Sequence, residues 1–224
     1  MLGNRWVAGS RFVGLALVAI TGAGCKGDDA GRRENAAGAP SAARVARGSL
    51  RCDDPNAPLL VDSIGIGPVI RGARVAELAL RCPVTDTTIV LAEGSPERAS
   101  AVVFRNHTLV VLTTGTPDTS IIRVITSDPA FRTSGGVGVG SSVQALRLAH
   151  GRICAARGEG GFVVMASDLA GVSFAIDWSP PPSRDPSSTD TPFPGGDPGT
   201  SLDAARITRL WVHGVAGGCR VSVS

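Results

Sequence analysis

Beyond residue 80 the chain is dominated by short runs of β-branched and aliphatic residues set off by turn residues. The runs at 87–92, 101–105, 108–113 and 120–126 are divided by Glu93-Gly94-Ser95-Pro96, Asn106-His107 and Gly115-Thr116-Pro117, which is the signature of successive strands. Further runs at 162–166, 172–176, 206–212 and 220–223 predict a second group of strands. Helical spacing of apolar residues occurs in two places, 74–81 and 142–150. Gly140 followed by Ser141 or Ser142 offers a helix N-cap, and Gly151 offers a stop. Between 179 and 201 the sequence is dense in Pro, Gly and Ser and predicts a long surface loop.

The two helical segments fall at one offset, 140 − 72 = 68, when GARVAEL (72–78) is set above GSSVQAL (140–146). Val75 then matches Val143, Leu78 matches Leu146 and Leu80 matches Leu148. A glycine-rich turn precedes each helix and several strands follow it. The period is far longer than a solenoid repeat. These features predict an α+β fold, an antiparallel sheet with two short helices from a duplicated helix-then-strands unit. The units span about 62–127 and 134–224, within a single domain over 51–224.

The amino end differs in kind. Arg5 and Arg11 precede an apolar run, FVGLALVAI at 12–20, which ends in Thr21-Gly22-Ala23-Gly24-Cys25. Nine apolar residues fall well short of the roughly 20 that span a bilayer as a helix. A positive flank, a short apolar core and small residues make a secretory signal. With a cysteine placed directly after the small residues, the segment resembles the lipobox signal of bacterial lipoproteins, although Gly22 stands where that family usually has Leu. The resemblance covers 1–25. It implies a signal peptide at 1–24, cleavage before Cys25 and lipid on that cysteine. By the enterobacterial sorting rule, Lys26 beside it implies an outer-membrane location facing the periplasm.

Residues 26–50 are charged, rich in Ala and Gly, and free of aromatics, which leaves too little apolar surface to offset ordering. Together with Cys25 they read as a tether, 25–50, and a coil of about 25 residues spans on the order of 25–30 Å. Arg32, Arg33, Arg44, Arg47 and Arg51 bring positive charge near anionic headgroups. Against that, 21 arginines stand beside a single lysine, which reads as compositional bias. A formal charge of +3 dispersed along the chain argues against nucleic acid as a partner.

With Cys25 lipidated, Cys52, Cys82, Cys154 and Cys219 remain, an even number in an exported chain, which predicts two disulfides with three possible connectivities. No Cys-x-x-Cys or adjacent Cys/His pair suggests a structural metal site. Cys52–Cys82 and Cys154–Cys219 are the expected pairs, each within one repeat unit.

The segments at 67–78 (GPVIRGARVAEL) and 131–151 (FRTSGGVGVGSSVQALRLAHG) resemble uncharacterised bacterial lipoprotein domains. More distantly they resemble the helix-then-sheet module of small outer-membrane-assembly lipoproteins (SmpA/OmlA type) and β-lactamase inhibitory proteins. The nearer resemblance covers roughly 62–177 and rests on glycine and aliphatic spacing. It implies a fold and carries no interface residue across.

No catalytic motif emerges. The glycines of 136–140 lack dinucleotide-loop spacing and a P-loop Lys-Ser/Thr, and read as turn glycines. His107, His150 and His213 are far apart in sequence; His150 closes a helix, where a cation meets the helix dipole favourably. Asp168 and Asp177 have no evident partner, no Gly-x-Ser-x-Gly elbow occurs, and Asn106-His107-Thr108 marks an exposed turn. The expectation is a binding or scaffolding lipoprotein without cofactor, metal or enzyme activity, contacting another envelope protein or the cell wall. The alternative is a cryptic envelope hydrolase using His150 or His213.

Overall fold

The computed structural model describes residues 47–90, 94–114, 120–158, 161–179 and 200–213. Three short strands come first: β1 (Leu60–Asp62), β2 (Gly65–Ile66) and β3 (Val69–Ile70). Helix α1 (Val75–Ala79) leads into β4 (Val84–Val90), β5 (Pro96–Phe104), β6 (His107–Thr113) and β7 (Ile121–Thr126). After β8 (Arg132–Thr133), helix α2 (Val143–His150) leads into β9 (Ile153–Gly158), β10 (Gly161–Ala166), β11 (Val172–Ile176) and β12 (Ile207–His213). Among the described residues the protein is sheet-rich, with α1 and α2 as its named helices, within the α+β class.

The main sheet has eight strands in the order β4-β5-β6-β7-β12-β11-β10-β9, and every neighbouring pair is antiparallel. A four-stranded sheet, β3-β2-β1-β8, is mixed, since β1 and β8 run parallel. Strand positions follow the sequence expectation to within one residue for β6, β7 and β10–β12, whereas β5 begins at Pro96, a residue expected in a turn, and β4 begins at Val84, ahead of the expected 87. The strand expected at 220–223 lies outside the described residues, as does most of the loop expected at 179–201.

Both helices bury one side in a core shared with one face of the main sheet. Leu78, Val143 and Leu146 are fully buried there with Phe104, Phe131 and Phe174, and Val75 packs at the margin. The ends of α2 are well defined. The Ser142 hydroxyl accepts from the Ala145 N–H at 3.1 Å, and Gly151 terminates the helix at φ 71°. α1 lacks such a cap, because Arg74 makes no side-chain capping bond. At its other end, Pro83 disfavours helical geometry at Cys82. The helix expected over 74–81 is accordingly only Val75–Ala79.

The incoming chain is held more firmly than its composition implies. The tether expected to run to residue 50 has ended by Arg47, which is buried. Its guanidinium donates to the Gly67 carbonyl at 2.9 and 2.6 Å and pairs with the Asp62 carboxylate. Arg47 therefore cannot touch lipid headgroups. Gly67 accepts this clamp at φ 54°, where a Cβ would lie 2.9 Å from the Phe104 ring. Five residues on, Cys52 is disulfide-bonded to Cys82 just beyond α1, and its N–H donates to the Arg81 carbonyl at 3.1 Å.

Candidate functional site

With the helices and the small sheet on one side, strand alternation sends another set of side chains to the opposite, helix-free face. On β12, Leu210 and Val212 enter the main core while Trp211 points the other way. Trp211 stands across from Ile125 on β7 and Ser173 on β11, and joins a cluster with Ala99, Leu112, Ile125 and Val163. Its indole nitrogen is buried with no hydrogen-bond partner. An unpaired buried donor costs about 1–3 kcal/mol. Beside it the Ser173 hydroxyl and His213 Nε2 are 2.7 Å apart.

The two halves of this face differ in exposure. On β4, β5 and β6 the register groups Thr85, Thr87, Ala101, Val103, Thr108 and Val110 around Ala99. All are exposed or half-buried, and none is charged. On the β12–β9 half, Trp211 and Val163 are each only 6% exposed.

The histidines are better partnered than their separation in sequence implies. His150 closes α2 as expected, and its side chain is buried between Thr133 and Asp168. Nδ1 lies 3.0 Å from the Asp168 carboxylate and Nε2 lies 2.7 Å from the Thr133 hydroxyl. Asp168, expected to have no partner, thus has one, and so has Asp177, which accepts from the Arg206 N–H. A carboxylate at Nδ1 can only accept, so that nitrogen carries the proton.

The chain Thr133–His150–Asp168 has the order of a nucleophile, base and orienting acid. Thr133 is 3% exposed, and its hydroxyl also accepts from the Val137 N–H at 3.3 Å. At Gly135 a Cβ would come within 2.9 Å of His150 Nε2, so the 133–137 turn is closed down on the ring. The group fastens that turn onto the end of α2.

His107 Nδ1 lies 2.7 Å from the Asp128 carboxylate, with its ring edge-on to Phe131. Burial pushes the Asp128 carboxyl up. Hydrogen bonds from the Ala130 N–H and from His107, with the histidine's charge, outweigh that and hold it below the usual range. A depressed folded-state pKa contributes stability that is present above about pH 4, the unfolded value, and is lost as pH falls through the folded value. Asp128→Asn should therefore flatten the acid limb of a stability-against-pH curve from urea titrations. An unchanged acid limb would show that the pair contributes nothing there.

Of the other expected sites, Cys154 is disulfide-bonded, while Cys219 and Cys25 lie outside the described residues. Among the described residues no three His, Cys, Asp or Glu side chains are placed to hold a metal ion. None of their helices is long and apolar enough to cross a membrane. A pocket of about 380 Å³ beside the Cys52–Cys82 bridge is lined by Arg51, Asp53, Leu80, Arg81 and Pro83. Arg51 and Asp53 pair with each other at 3.0 Å, and no histidine or hydroxyl joins them.

No family profile matches the chain. No curated protein matches it either. Among solved structures it is similar to the uncharacterised protein yfeY from Escherichia coli, with a TM-score of 0.46 and 14% identity over 69% of this chain and 99% of that one.

Proposed function

We propose that the protein is an exported lipoprotein, cleaved before Cys25 and held by acyl chains on that cysteine at the outer membrane, facing the periplasm. Its domain serves as a binding or scaffolding module for another envelope protein or the cell wall, with no cofactor and no nucleic-acid partner. The anchor is supported by the order of charge, apolar run, small residues and cysteine at 5–25.

The binding role rests on one observation, the uncharged patch of Thr85, Thr87, Ala101, Val103, Thr108 and Val110 on the helix-free face. Small ligands favour concave pockets of roughly 300–1,000 Å³. A pleated strip of small and branched side chains suits a macromolecular surface better. The hydrolase reading takes second place: Thr133–His150–Asp168 and the Ser173–His213 pair support it, and both hydroxyl residues are only 3% exposed.

We also read the sheet as a duplication. Supporting this, α1 precedes β4–β7 and α2 precedes β9–β12, and the last strands of the two sets, β7 and β12, lie side by side.

The test is a photo-reactive amino acid placed singly at Val103, Thr108 or Gln144 in cells with intact envelopes. Adducts of defined mass are expected from Val103 and Thr108 and not from Gln144, on the exposed side of α2. Cross-links from Gln144 alone would remove the sheet face from the account.

A further inference from the structure

We propose that β4, the outer strand of the main sheet, pairs antiparallel with β4 of a second copy of this chain, across a two-fold axis at Thr87. The inference is independent of the binding role assigned to the helix-free face.

β4 is seven residues long and ends the sheet, and no other described strand lies beyond it. The Pro83 carbonyl accepts from the Val103 N–H at 3.0 Å, which makes 83 and 103 a hydrogen-bonded pair. Such pairs alternate with non-bonded ones along an antiparallel ladder. The odd-numbered residues of β4 therefore direct their N–H and C=O groups to β5, while those of Val84, Asp86, Thr88 and Val90 point outward. Among the described residues nothing receives these outward groups.

Monomeric proteins blunt such an edge with Lys, Pro, a bulge or a very short strand. β4 holds no Lys, Arg, Pro or Gly, and its register with β5 runs unbroken from Val84 to Val90. The opposite end of the sheet differs. β9 opens with Ile153, Cys154 and Ala155 all buried, whereas no residue of β4 is buried.

The sequence of β4, VTDTTIV, is complementary to itself. A two-fold axis normal to the sheet keeps each face with its own kind, so residues that stand opposite must share a face. With the axis at Thr87, Val84 faces Val90 of the second copy and Asp86 faces its Thr88. All four are outward-directed residues, so the paired strands form about eight backbone hydrogen bonds. Thr87 meets its counterpart in a non-bonded pair, where side chains come closest. Val90, 61% exposed, is covered by Val84 of the second copy. An axis at Asp86 would oppose two carboxylates, and one at Thr88 would carry Val84 past the end of the facing strand. The joined copies hold one continuous sheet, whose helix-free face shares Thr85, Thr87 and Ile89 from both.

The test uses two full-length copies with different epitope tags, made together in cells with intact envelopes, each with a photo-reactive amino acid at Val90. Val90 lies on the helix side of the sheet, apart from the patch assigned to another partner. Adducts carrying both tags are expected from Val90 and not from Arg157, exposed on β9. Thr88→Asp sets a carboxylate opposite Asp86 in both central pairs and should lower the two-tag yield several-fold. Adding Asp86→Lys to Thr88→Asp puts opposite charges in those pairs and should restore it. No two-tag adduct from Val90, or equal yields from Val90 and Arg157, would overturn the proposal. A yield that Thr88→Asp leaves unchanged would overturn it too. Should Thr88→Asp alone fail to fold, the double variant decides: wild-type yield supports the register at Thr87, and background yield contradicts it.

Discussion

Leu146→Ala should cost the domain about 2–5 kcal/mol of stability, while Leu148→Ala, two residues on, should cost less than about 0.5 kcal/mol. Both leucines belong to the same helix. Leu146 is fully buried against the main sheet, whereas Leu148 is 81% exposed. Truncation at 146 loses the transfer free energy of the removed carbons and leaves a hole that close-packed neighbours fill only partly. For a domain of this size each kcal/mol lowers the melting temperature by roughly 2–4 °C. A drop of several degrees or more is therefore expected at 146 and almost none at 148. Equal losses would mean that the packed side of α2 is misassigned, and with it the placement of the sheet's helix-free face.

The second large effect is expected from the Cys52–Cys82 bridge. Its sulfurs close a loop of sequence separation 30. In the chain-entropy model such a closure contributes about 3–4 kcal/mol. Both cysteines are buried, at 1% and 5% exposure, so the bridge is also part of the core. It fixes the incoming chain beside the end of α1, where the Cys52 carbonyl also accepts from the Arg105 N–H at 2.7 Å. The double variant Cys52→Ala/Cys82→Ala should lose that stability in urea unfolding under non-reducing conditions. Because the Cys154 bridge remains in both proteins, the difference reports this bridge alone. Superimposable unfolding curves would show that the bridge is redundant with the Arg47 clamp.

Local signals made much of the fold legible. β11 was readable from residue to residue, since Val172–Ile176 is a short β-branched and aromatic run bounded by turns. α2 was readable because its cap, stop and apolar spacing agree. The small sheet was not readable. Its strands are two or three residues long, and Val61 pairs with Thr133 from far along the chain. β9 carries two alanines and an arginine, residues with weak strand preference, and depends on its pairing with β10.

The site was less legible for the same reason. His150 meets Asp168 and Thr133 only because the 133–137 turn folds onto α2. Arg47 looked like tether because its partners, Gly67 and Asp62, are 20 and 15 residues away. One signal was available: in Leu210-Trp211-Val212, alternation already sets the tryptophan on the face opposite its neighbours. What that face packs against required the register of the strands beside it.

The proposed membrane anchor is tested most directly by metabolic labelling with a fatty acid, followed by fractionation. Wild-type protein should take up the label and sediment with membranes, while Cys25→Ser should be unlabelled and either soluble or unprocessed. Absence of label in the wild type, or Cys25→Ser sedimenting and migrating as the wild type does, would contradict it.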